Sequence, residues 1–126
     1  MMIDKSKIID GMVFVNDKNI NETVVFNFHT WVEMIKAILL KYTDKLESEM
    51  DCLIYNNPLI ENACDNYMAV IVRCHETEYH WAMLIAHGEQ YWNKGISTQE
   101  PAGYFEWEKQ FRDENKLAAE SFEFNE

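Results

Sequence analysis

Apolar and polar positions change their period along the chain, and each change predicts an element. "MVFV" from Met12 and "ETVVFNF" from Glu22 are β-branched and aromatic runs parted by the turn formers "NDKNIN". They predict an N-terminal antiparallel hairpin. The period then lengthens, with Trp31, Met34, Ile35, Ile38, Leu39, Tyr42 and Leu46 at helical spacing behind Thr30-Trp31-Val32-Glu33, which has the form of a capping box. A long amphipathic helix over about 31–49 is expected.

The middle of the chain is apolar without a clear period. "CLIY" from Cys52 reads as a short strand, and Asn57-Pro58 offers an N-cap and a first-turn proline for a short helix through "LIENACD". "MAVIVRC" and "YHWAMLIAH" are apolar on both sides and read as two central strands covered on each face. With "ETEY" as their loop, the register pairs His75 with His80, Cys74 with Trp81, Val72 with Met83 and Val70 with Ile85. Beyond Pro101-Ala102-Gly103, "YFEWEKQFRDENKLAAESF" lacks β-branched residues and sets Tyr104, Trp107, Phe111 and Ala118 along one side, so a C-terminal helix over about 103–119 is expected. The pattern as a whole predicts one α+β domain spanning 1–126, an antiparallel sheet with N-terminal and central hairpins carrying the long helix and the C-terminal one.

Composition agrees with one folded unit, since 126 residues with 48% apolar content can enclose a core without staples. Three cysteines, Cys52, Cys64 and Cys74, are an odd number at unrelated spacings and suit reduced thiols. The start "MMIDKSKIIDGM" carries charges where an export signal needs an apolar core, and no apolar run is long enough for a membrane span. A cytoplasmic chain is expected.

Charge narrows the partners. Twenty-two acidic against eleven basic residues give a formal net charge of −11, and no basic cluster exists that could release counterions from a polyanion. Direct nucleic-acid binding is therefore not expected. A basic protein is the natural partner, because complementary charge steers encounter.

The densest chemistry lies in "RCHETEYHWAMLIAHGEQYW", Arg73 to Trp92. Cys74, His75 and His80 are competent metal ligands, yet five positions separate the histidines, and in the expected hairpin Cys74 faces away from both. No cofactor or metal is expected. Nucleophilic catalysis lacks a Gly-x-Ser-x-Gly elbow or cysteine-protease flank, and Gly11, Gly88, Gly95 and Gly103 are too scattered for a phosphate loop. A small metal-dependent or ligand-binding enzyme using His75 and His80 is the alternative reading, and a regulatory adaptor subunit the second.

Aromatic groups among carboxylates favour a protein-binding surface. The expected partner-binding residues are Glu76 and Glu78 at the tip of the central hairpin, Glu89 and Trp92 after it, and Glu120, Phe122, Glu123 and Phe124 in the tail. In size, acidity and lack of catalytic motifs the chain resembles the small acidic immunity proteins with which bacteria neutralise their own toxins. That resemblance implies a non-enzymatic inhibitor of a basic toxin domain such as a nuclease; it implies no site residue.

Overall fold

The sheet joins the two ends of the chain. In the computed structural model, which describes residues 3–125, β1 (Met12–Asn16) and β2 (Asn19–Phe26) form the expected antiparallel hairpin, with Met12 opposite Phe26 and Phe14 opposite Val24. Burial alternates along β1, as a strand covered on one face requires. β3 (Phe122–Asn125) then pairs antiparallel with β2, Phe122 opposite Phe26 and Phe124 opposite Val24, giving the order β1-β2-β3. Phe122 stacks flat on Phe26 at 4.9 Å, and Trp31 meets both rings edge-on.

A single 3-10 turn at Lys5–Lys7 precedes β1, and the α-helices of the described residues all lie between β2 and β3 in the chain. The long helix, α1 (Phe28–Tyr42), starts three residues before the expected position and ends seven before it. Its first turn is capped from a distance, because Asp10 accepts from the Thr30 amide at 2.8 Å and from the Thr30 hydroxyl at 2.7 Å. Thr30 is therefore a buried first-turn residue and not the N-cap that its spacing from Glu33 suggested. After Tyr42 the backbone turns extended at Thr43, whose hydroxyl donates to the Leu39 carbonyl, and Leu46 is left exposed.

The central hairpin is not formed. "MAVIVRC" lies in helix α3 (Tyr67–Cys74) and "YHWAMLIAH" in helix α4 (Glu78–His87). The physical reason is local: the Asn66 side chain accepts from the Ala69 amide at 2.8 Å and the Thr77 hydroxyl from the His80 amide at 3.2 Å, so each segment opens on a side-chain cap. A segment apolar on all sides suits a helix as well as a strand, and the caps decide; α4 is then largely covered, whereas α3 buries Val70 and leaves Met68 and Val72 exposed. α4 accordingly packs along α1 in the interior.

"CLIY" likewise joins a π-helical turn over Asp51–Tyr55 and not a strand. The short helix after it forms only in its first turn, as α2 (Pro58–Glu61), with the Asn57 side chain accepting from the Leu59 amide at 2.9 Å, and it stops four residues before the end of "LIENACD". The C-terminal helix, α5 (Tyr104–Glu114), stops five residues before the expected end. Lys116 takes φ 56° there, and the Leu117 amide reaches back to the Arg112 carbonyl at 2.9 Å. That is a Schellman ending with lysine where glycine is usual.

The segment after α5 is stitched to the start of α1. The Ala118 amide donates to the Thr30 hydroxyl at 3.0 Å, and the Asn27 side chain donates to the Glu120 carbonyl and the Glu123 carboxylate, each at 2.8 Å. These bonds carry the acidic tail residues into the sheet. Among the described residues no helix is long and apolar enough to cross a membrane.

Candidate functional site

Glu78 opens α4 and Arg112 closes α5, and folding brings them together. Both are buried, and Arg112 Nη2 donates to Glu78 Oε2 at 2.6 Å. The buried Ser121 hydroxyl donates to the same carboxylate oxygen at 2.7 Å, and Arg112 Nη1 donates to the Ala118 carbonyl at 3.1 Å. The first turn of α4 adds its positive dipole end beneath Glu78. Glu78 is thus an internal ion-pair partner and not the exposed loop tip expected of it.

A second carboxylate stands close by. Glu108 Oε2 lies 3.9 Å from Arg112 Nη2 and accepts the Tyr104 hydroxyl at 2.9 Å. Burial, and then the charge of Glu78, hold the Glu108 carboxyl above the usual glutamate range. Tyr104 is raised in turn, by burial first and by Glu108 second. Two carboxylates therefore share one guanidinium.

These groups floor a cleft of about 380 Å³ between α5 and the chain leading into β3, lined by Glu108, Lys109, Arg112, Asp113, Ala119, Glu120 and Glu123. An adjoining hollow of about 400 Å³ adds Cys74, Glu78, Ser121, Phe122 and Phe124. Five of the expected partner-binding residues, Glu78, Glu120, Phe122, Glu123 and Phe124, so meet in one region. Their exposure differs. Glu120, Glu123 and Phe124 are exposed, whereas Phe122 is partly covered by its stacking on Phe26.

Glu76 and Trp92 meet elsewhere, in a separate cleft of about 400 Å³ that also takes in Thr77, His80, Thr98 and Glu100. Trp92 is 48% exposed and stands edge-on to the buried Tyr91 at 5.2 Å. His80 Nδ1 lies 2.8 Å from the Tyr91 hydroxyl and 4.0 Å from Glu76. Burial raises the Tyr91 hydroxyl, and the charges of Glu76 and Glu100 push it further in the same direction. Glu89 is exposed beyond Gly88 and lines neither cleft.

The histidines do not converge as cross-strand partners. His75 is the exposed C-cap of α3, while His80 sits on α4. Among the described residues no group of three or more His, Cys, Asp or Glu side chains is arranged to hold a metal ion. Cys74 borders the Phe124 hollow, and Cys64 packs its sulfur 3.8 Å from Met12 Sδ, where burial pushes its thiol up to about 11. That thiol is protonated at neutral pH and a poor nucleophile.

Arg112, Glu108 and Glu100 were missed from the sequence. Glu108 and Arg112 stand at i,i+4 with the acid first, a legible helix pair, but nothing in the sequence places Glu78 opposite them. The chain matches no protein-family model, and no curated protein or solved structure matches it either.

Proposed function

We propose that the protein is a non-enzymatic acidic binding protein that inhibits a basic partner, in the manner of an immunity protein acting on a bacterial toxin such as a nuclease. The observation that carries this reading is the cleft between α5 and β3. Its guanidinium, Arg112, is shared by Glu78 and Glu108 in the floor, while Asp113, Glu120 and Glu123 line the opening with Lys109 as the remaining cation. The opening thus presents surplus negative charge beside the exposed Phe124 ring, a pairing suited to a basic patch with an apolar centre. A net charge of −11 extends the attraction beyond the cleft.

The test is isolation of the complex from the native host, followed by assay of the recovered partner with and without an equimolar amount of this protein. A stoichiometric basic partner whose activity is blocked, with affinity falling as salt rises, is the expected result. An acidic or neutral partner, or binding indifferent to salt, overturns the reading.

A further inference from the structure

The chain covers several of its aromatic rings with its own cations. Lys5 Nζ lies 4.5 Å from the centre of the Tyr55 ring, and Lys41 Nζ stands 5.5 Å from that of Tyr42 and 5.6 Å from that of Trp107. Trp92 is treated differently. Its cleft is lined by Glu76 and Glu100 and by no lysine or arginine. The cation nearest to it in sequence, Lys94, donates to the His87 carbonyl at 3.0 Å. An indole offers the strongest quadrupole of the aromatic side chains, so a half-exposed one between two carboxylates lacks the cation that its surroundings favour.

The loop that presents Trp92 is firmly set. It leaves α4 through Gly88 at φ 86° and ends at Gly95 at φ 88°, with Gln90 held at φ 56° between them. Tyr91 anchors the same turn in the core and against His80, and the indole that follows it stands edge-on to the Tyr91 ring. Both carboxylates also act on the Tyr91 hydroxyl, which places their negative potential at this loop.

We propose that the Trp92 cleft receives an arginine side chain of the basic partner, the guanidinium lying on the indole face and forking to Glu76 and Glu100. This rests on the reading of the protein as an inhibitor of a basic protein. Arginine is favoured over lysine because its planar cation stacks on an aromatic face while its edge donates to carboxylates, which a point-like ammonium cannot do at once. The occupant is chosen by charge complementarity, since every ionisable side chain lining the cleft other than His80 is acidic.

The experiment is a titration of the whole protein with N-acetyl-L-argininamide, read from the indole N–H resonances of Trp31, Trp81, Trp92 and Trp107 and from the amides of Thr77 and Thr98. Trp92 should shift saturably while the buried Trp31 stays in place. Trp92→Ala, read from the two threonine amides, should weaken binding about two- to fivefold. Glu76→Gln with Glu100→Gln should weaken it about tenfold, and leaves the indole loop untouched should Trp92→Ala misfold. No saturable shift, the same shift from sodium chloride at equal ionic strength, or equal binding of N-acetyl-L-lysinamide overturns the inference. A missing shift alongside intact partner inhibition removes the arginine seat alone; a normal shift with no basic partner recovered removes the functional reading.

Discussion

Arg112 Nη2 lies 2.6 Å from Glu78 Oε2 with both residues buried, and Glu108 waits 3.9 Å from the same nitrogen. The arrangement is asymmetric. Arg112→Met strands Glu78 as a buried charge and should cost about 3–5 kcal/mol of stability. Glu78→Gln should cost distinctly less, because Glu108 can serve as the counterion and the amide still accepts from Ser121. Urea unfolding of the two variants checks this, and equal losses would contradict the shared-guanidinium geometry.

Glu108 also makes stability depend on pH. Its folded pKa is raised above the ordinary 4.5, chiefly by burial, so the folded chain holds this proton more tightly than the unfolded chain does. The contribution to stability is complete below 4.5 and is lost as pH rises through the raised value. Glu108→Gln removes the penalty felt at neutral pH while still accepting the Tyr104 hydroxyl. Its urea midpoint should exceed that of the unaltered protein at pH 8, with the gap closing toward pH 4.5. A gap that widens on acidification reverses the sign and refutes the assignment.

The physical reasons for what the sequence discloses can be read from particular residues. Met12–Val15 and Thr23–Phe26 are β-branched and aromatic runs on either side of the turn formers Asn16 to Asn21, a composition that suits two strands and the turn between them, so the first hairpin was legible. Val70, Ala82 and Met83 sit in segments apolar on all sides, a pattern that suits strand and helix alike, although α3 leaves Met68 and Val72 exposed; the signals were Asn66 and Thr77, two small caps easily taken for loop residues. Glu78 was read as a loop carboxylate through the same error, which hid its pairing with Arg112. The tail was legible in part: Glu120, Phe122, Glu123 and Phe124 do gather at one site, yet Phe122 faces the core because β3 pairs with β2, a contact between chain ends that no local pattern encodes.

Lys116 ends α5 in the left-handed region at φ 56°, where a side chain crowds its own backbone. The Leu117 bond to the Arg112 carbonyl depends on that conformation. Lys116→Gly should therefore stabilise the fold by about 1 kcal/mol, the relief of strain outweighing the extra freedom of the unfolded chain. Lys116→Val, β-branched at the same dihedral angle, should destabilise it. Thermal unfolding midpoints moving in opposite directions confirm the Schellman ending, and two unchanged midpoints would mean that the turn is not maintained in solution.

Asp113 and Glu120 line the acidic cleft, are exposed, and take no part in the buried ion pair. Replacing both by lysine changes the local charge by four units without touching Glu78, Arg112 or Ser121. If the cleft steers a basic partner, Asp113→Lys with Glu120→Lys should slow association about tenfold at low salt and leave dissociation nearly unchanged, because long-range attraction acts before contact. The difference should fade as salt shortens the screening length toward about 3 Å at 1 M. Stopped-flow association at several ionic strengths reads both effects. A change confined to dissociation would place these carboxylates in direct contact with the partner, and an unchanged association rate at low salt would remove the cleft from the encounter altogether.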